Sequence, residues 1–222
     1  MYKAVVFDLD HTLFDRYKTF SSIIDKGYAY TIFKEEIDKE ILKQKWTYAD
    51  KNFCTVSWDK VYDYLKSEGL LKDNLEKQGF FNNYIVPIFM QVAEAYDFAI
   101  PTLKELKKRG YKIGLITNGR HTLQMKKLEM LNLVEHFDEI IISGDFNTFK
   151  PDRFLFDEMA KRLDLSPCEM LYVGDNPLND VEGARNAGYV PVWVKTTGIW
   201  THPEIEKCEL EVENVSELLK FL

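Results

Sequence analysis

The segment "AVVFDLDHTLFD" (residues 4–15) drives an apolar run, Ala4 to Phe7 with Leu9 beyond, straight into Asp8, Asp10 and Asp15, with Thr12 between them. Carboxylates crowded at the end of a buried strand repel one another and are costly to dehydrate. Two arrangements satisfy such a cluster. Either the acids cap turns in water, or something cationic sits among them.

Four more runs of strand length follow: "YKIGLIT" (111–117), "EIIIS" (139–143), "MLYVG" (170–174) and "VPVWVK" (190–195). Each is almost continuously apolar, the pattern of a strand covered on both faces. Helical periodicity separates them. "TLKELKKRG" (102–110) stops at Gly110, a C-cap signal. "TLQMKKLEMLNL" (122–133) places Leu123, Lys127 and Met130 along one side and Leu128 and Leu131 along the next. "DRFLFDEMAKRL" (152–163) follows Pro151, and "DVEGARNAG" (180–188) ends at another glycine. Such alternation predicts an α/β fold with a doubly wound parallel sheet. "LEVENVSELLKFL" at the end reads as a short edge strand and a terminal helix. Residues 16–98 break the alternation: their apolar residues fall at helical intervals (Phe20, Ile23 and Ile24 running through Gly27 to Ala29; Val61, Tyr64 and Leu65; Tyr84, Ile85, Ile88, Phe89 and Val92). They predict an all-α insertion of about four helices, broken at "TVSW" (55–58), where Ser57 would N-cap 58–68, and at Gly69 and Gly79. The expected domains are therefore a core of 1–15 and 99–222, and a helical domain of 16–98.

The bulk properties agree with a folded chain. Of 222 residues, 45% are hydrophobic and 29% charged, ordinary globular values, and 14% aromatic residues supply a sizeable core. A formal charge of −7 argues against non-specific nucleic-acid binding. Cys54, Cys168 and Cys208 are odd in number and form no C-x-x-C pair, which reads as reduced thiols. No signal-peptide pattern and no apolar run near the roughly 18 residues of a membrane span is present. The expectation is a cytoplasmic protein without membrane partners. Oligomeric state is not readable, and a monomer fits the composition.

A polar cluster follows each of four strands: Asp8, Asp10 and Thr12 after the first; Thr117, Asn118 and Gly119 after the second; Lys150 and Pro151 beyond the third; Asp175 and Asp180 after the fourth. In an open parallel sheet, ligands bind outside the carboxyl ends of the strands, so all four clusters fall on one rim. Each alone has a plain explanation. Asp and Asn start turns and cap helices, and Asp180 sits at a helix start. Four in sequence are hard to assign to turn chemistry.

With "DLDHT" (8–12), "TNG" (117–119), "KPD" (150–152) and "GDNPLND" (174–180), the chain resembles the haloacid dehalogenase superfamily of aspartyl-phosphate-forming hydrolases, and within it the small-molecule phosphatases, including pyrimidine-nucleotidase-like members. The resemblance implies a Rossmann-like core with the helical insertion as a cap. It also implies a magnesium-dependent phosphatase acting on a small phosphorylated metabolite, with a nucleoside monophosphate as one candidate. Asp8 is then the nucleophile and Asp10 the general acid–base, a group for which a phosphate ester has use and a halide leaving group does not. Asp8, the carbonyl of Asp10 and Asp175 are the implied Mg2+ ligands, with Asp180 and Thr12 behind them. Thr117 and Asn118 would contact phosphoryl oxygens, Gly119 and Arg120 the substrate, and Lys150 would supply positive charge. At His11 the backbone N–H would face phosphate. Arg120 and His121 either reach the substrate from the core or begin an exposed helix. In the cap, Trp46, Tyr48, Asn82 and Asn83 are specificity candidates, set against packing or simple exposure. For Asp15 a turn or hinge role is expected. A sugar phosphomutase shares these motifs, and a phospho-accepting domain without turnover also gathers carboxylates and a lysine at a sheet rim. Neither the eighty-residue insertion nor Asp10 suits the latter.

Overall fold

The computed structural model describes every residue except Met1, Thr55, Val56 and Ile199, so two residues of the 55–58 break lie outside the described residues. The chain forms two compact units, Met1–Asp15 with Glu94–Leu222, and Arg16–Ala93. In the first, β1 (Ala4–Phe7), β2 (Lys112–Thr117), β3 (Glu139–Ile142), β4 (Met170–Gly174), β5 (Val190–Val194) and β6 (Leu210–Val212) make one parallel sheet in the order β3-β2-β1-β4-β5-β6. β1 is central: Val6 pairs with Gly114 on one side and Tyr172 on the other. All four of its side chains are fully buried. Each Val or Phe among them contributes about 1.5–3 kcal/mol by leaving water. Chain order reverses between β1 and β4, the kind of point beyond whose strand ends open parallel sheets bind ligands.

The second unit contains α1 (Arg16–Asp25), α2 (Lys39–Phe53), α3 (Trp58–Ser67) and α4 (Val86–Phe89), the last continuing a π-helical turn at Phe81–Ile85. The Ser57 side chain accepts from Asp59 N at 3.0 Å and caps α3 as its sequence suggests. The periodicity read through Gly27 does not hold. α1 stops at Asp25, Gly27 turns left-handed (φ 82°), and a 3-10 turn follows at Tyr28–Thr31. Trp46 is wholly buried, stacked on Phe20 with ring centroids 4.4 Å apart and tilted against Phe33 at 5.0 Å. It is a packing residue. Tyr48 is exposed in a cluster with Phe53 and Tyr64, and Asn82 and Asn83 are exposed.

Four helices flank the sheet: α5 (Ala99–Lys108), α6 (His121–Met130), α7 (Arg153–Leu163) and α8 (Gly183–Asn186). α5 ends where expected: Gly110 takes φ 90°, and Tyr111 N–H donates to Leu106 O at 3.1 Å, closing the last turn. Leu155, Phe156 and Met159 of α7 pack on Val6, Ile116, Ile141 and Tyr172 of the sheet. α6 buries Lys127 of the first side and Leu128 of the second, together with Gln124, which belongs to neither, and leaves Leu123 and Met130 half-buried. The terminal helix is 3-10, Val215–Lys220. The two crossings between the units run side by side in the sheet unit: Phe14 bridges Ala95, and Tyr96 N–H donates to Leu13 O at 3.0 Å. Among the described residues, no helix is long and apolar enough to cross a membrane, and Cys54, Cys168 and Cys208 are in no disulfide.

Candidate active site

β1 ends by delivering Asp8, whose N–H is still in the sheet, donating to Val173 O at 2.9 Å. The chain then turns tightly. His11 is left-handed (φ 66°), Leu13 N–H returns to Leu9 O at 3.0 Å, and Thr196 donates its hydroxyl to His11 O. The His11 N–H donates to Phe14 O at 2.8 Å. It closes this loop and does not face a phosphate, contrary to its sequence reading. Buried Thr12 places its hydroxyl 3.5 Å from Asp8 Oδ2, the outer limit of a hydrogen bond.

Lys150 arrives from the loop beyond β3 and is almost fully buried. Its main chain is clamped by one side chain: Lys150 N–H donates to Asn118 Oδ1 at 2.8 Å, and Asn118 Nδ2 donates to Lys150 O at 3.1 Å. The ammonium then reaches Asp8 Oδ1 at 2.6 Å, Asp180 Oδ1 at 2.7 Å, the Tyr172 hydroxyl at 2.8 Å and Ile116 O at 3.0 Å. Burial works to lower the Lys150 pKa, but Asp180 and then Asp8 outweigh it and hold the group well above the usual lysine value. Asp180 lies in a π-helical turn at Pro177–Glu182 and accepts from Asn176 N at 3.0 Å. The capping side chain of that turn is Asn176, which accepts from Leu178 N and Asn179 N, and not Asp180. Gly174 makes room for it. A Cβ there would lie 2.4 Å from Asp180 Cγ, so no larger residue lets the carboxylate fold back under β4.

Asp8, Asp175 and Asp180 each offer a carboxylate oxygen, all within 4.8 Å of one another. Burial, opposed by Lys150 and reinforced by Asp180, raises the Asp8 carboxyl to about 7. Burial, with Asp180 and Asp8 adding, raises Asp175 well above the ordinary range. Four carboxylates, with Asp10, thus meet two ammonium groups, Lys150 and Lys127. The donors are hard oxygens, and with all four carboxylates ionised, as a bound cation would favour, the charge left over is that of one divalent ion, so these residues fit magnesium. Between the unfolded value of about 3.9 and about 7, native Asp8 keeps a proton that the unfolded chain has lost. Its contribution to stability therefore falls as pH rises through that window. Urea unfolding of the metal-free protein beside Asp8→Asn at pH 5 and pH 8 reads this directly: the wild type loses stability relative to the variant at the higher pH. A difference that stays constant or grows contradicts the assignment.

The remaining motif residues divide. Thr117 is buried, and its oxygen accepts from Gln124 Nε2 at 2.5 Å. The Asp10 carboxylate meets Lys127 Nζ at 2.9 and 3.0 Å and Gln124 Nε2 at 3.3 Å. Gly119 offers the substrate no free main-chain group: its N–H donates to Ser143 Oγ at 2.9 Å and its carbonyl accepts from Gly144 N at 3.0 Å. It forms the turn between β2 and α6. Arg120 is exposed at the N-cap position of α6, and His121 pairs with Asp145 at 2.9 Å. Tyr172, Gln124 and Lys127 are the functional neighbours that motif reading misses. The one signal for the last two is a helix that spends its inner face on Gln and Lys.

Residues 5–194 match the family described as haloacid dehalogenase-like hydrolase. A glyceraldehyde 3-phosphate phosphatase from Methanothermobacter thermautotrophicus is 30% identical, with 100% of both chains aligned. A pyrimidine 5'-nucleotidase from Streptococcus pneumoniae is 25% identical over 100% of this chain and 95% of its own. Among solved structures, a HAD phosphatase from Thermococcus onnurineus aligns with a TM-score of 0.65 at 27% identity, covering 98% of this chain and 96% of that one.

Proposed function

The chain belongs to the haloacid dehalogenase-like hydrolases, and from that premise we propose that it is a magnesium-dependent phosphatase that hydrolyses small phosphate monoesters through an aspartyl-phosphate on Asp8. The observation that carries this reading is the buried trio of Asp8, Lys150 and Asp180, with Asp10 two residues from the nucleophile and held on a separate set of partners. One carboxylate is tied to the phosphate-binding lysine, the other is kept apart for proton transfer.

An Asp8 oxygen bonds to phosphorus as the phosphorus–oxygen bond to the leaving group breaks, and Asp10, protonated from solvent or by the water of the previous turnover, passes that proton to the departing oxygen. A water then attacks the acyl phosphate, Asp10 takes the water's proton, and Asp8 is released as carboxylate. Lys150 balances charge on the phosphoryl oxygens. Thr117 accepts from Gln124, so its own hydroxyl hydrogen is available to donate to one of those oxygens. Asp8, Asp175 and the main-chain carbonyl of Asp10 would hold magnesium, whose chemistry when bound is to neutralise the phosphoryl charge. Asp180 and Thr12 fix these groups from behind. The helical unit, inserted after Asp15, serves as the cap that selects the alcohol part of the substrate. Glyceraldehyde 3-phosphate and pyrimidine nucleoside monophosphates, the substrates in the relatives' names, head the list of candidates.

Purified protein incubated with p-nitrophenyl phosphate tests the reading. Phosphate release in magnesium should fall to background with a chelator and return when magnesium is restored. Turnover that survives both chelation and Asp8→Asn overturns it.

A further inference from the structure

α6 buries a lysine and a glutamine on the face where an α/β helix ordinarily carries apolar side chains. A buried ammonium costs several kcal/mol unless it is paired. Here the compensation is specific: Lys127, 3% exposed, places Nζ 2.9 and 3.0 Å from the two oxygens of Asp10, and the Phe14 ring lies under it at 5.4 Å. One helical turn earlier, Gln124 spans two groups, with Nε2 at 2.5 Å from Thr117 Oγ1 and 3.3 Å from Asp10 Oδ2. Its carbon stem fills the space above Gly119, where a Cβ would lie 2.9 Å from Gln124 Cγ. Both oxygens of Asp10 are thus fixed by a rigid element 114 to 117 residues away in sequence.

We infer that Gln124 and Lys127 are positioning residues that hold the Asp10 carboxyl group in the place from which it serves the leaving oxygen, and that Gln124 sets this place relative to the hydroxyl of Thr117. The inference rests on the reading of Asp10 as acid–base. Lys150 is the cation beside Asp8, and Lys127 turns its ammonium to both oxygens of Asp10. Its effect passes through Asp10.

A loss of this kind depends on the leaving group. Phenolate departs poorly without a proton, whereas p-nitrophenolate departs well, and the two esters are alike in size. Rapid-quench measurement of phosphoryl transfer to Asp8 compares them in wild type, Lys127→Met, Asp10→Asn and the double variant. With general acid catalysis worth about 10²–10⁴-fold, Lys127→Met should slow transfer from phenyl phosphate by about 100-fold and from p-nitrophenyl phosphate by about 10-fold or less, with KM nearly unchanged. The double variant should be no slower than Asp10→Asn by more than about 2-fold, since Lys127 has nothing left to position. Lys127→Arg should recover part of the loss, and Gln124→Leu should repeat the leaving-group pattern more weakly. If Lys127→Met fails to fold, those two variants carry the same comparison. Equal losses on both esters, or additive losses in the double variant, overturn the inference. If Asp10→Asn itself lacks the leaving-group pattern, the acid–base reading falls and takes the inference with it. If Asp10→Asn shows the pattern and Lys127→Met does not, only the inference falls.

Discussion

Asp8→Asn should lower turnover of p-nitrophenyl phosphate by about 10⁴-fold or more, because on the proposed mechanism it replaces the attacking carboxylate with a non-nucleophilic amide while leaving shape almost unchanged. The variant should fold. Lys150 keeps Asp180, the Tyr172 hydroxyl and Ile116 O as partners when Asp8 loses its charge. Steady-state phosphate release measures the loss, and an acid quench with labelled substrate shows whether label still attaches to protein. A rate within tenfold of wild type, or label that persists in the variant, would assign the nucleophile elsewhere.

Lys150→Met should have the largest effect on stability. Among the described residues, this ammonium is the cation bonded to both Asp8 and Asp180, and both it and Asp180 are almost fully buried. Removing one partner from a buried ionic cluster leaves uncompensated charge, at a cost of about 3–5 kcal/mol. Urea unfolding without metal should show that loss, and magnesium should restore part of it by gathering the same carboxylates. On the proposed mechanism turnover should also drop by about 10²–10³-fold even with magnesium present, because the phosphoryl oxygens would lose their fixed positive neighbour. A variant within about 1 kcal/mol of wild type would mean that the network does not stabilise the site.

Strands covered on both faces write themselves into the chain as apolar runs, so β2 and β4 could be placed nearly to the residue from "YKIGLIT" and "MLYVG". Asp8, Lys150, Asp175 and Asp180 were legible for a related reason. Each follows a strand, and parallel strands bring their carboxyl ends to one rim. What stayed hidden depends on geometry across the sheet. Tyr172 reads as core filling in "MLYVG", and only its pairing with Val6 shows that its hydroxyl can reach Lys150 and Ile116 O. The inner face of α6 was legible only in part: Leu128 and Leu131 mark it, whereas Gln124 joins it through Thr117 and the Asp10 carboxylate, which the sequence places far away. His11 was misassigned because a left-handed turn spends its N–H on Phe14 O, and nothing in the sequence marks a histidine for that conformation. The end of α1 was missed for lack of weight given to Gly27.

The central position of β1 has a consequence for synthesis. Its partners are Lys112–Leu115 and Met170–Val173, so a ribosome that has made β1 must add over a hundred residues before the first of them exists. The helical unit, by contrast, is one continuous stretch from Arg16 to Ala93, with its pairings close in sequence. Local contacts form fast and distant ones slowly. The order of birth therefore runs against the order of the sheet: the helical unit can fold while β1 still waits, apolar and unpaired, with its strand edges open to other chains.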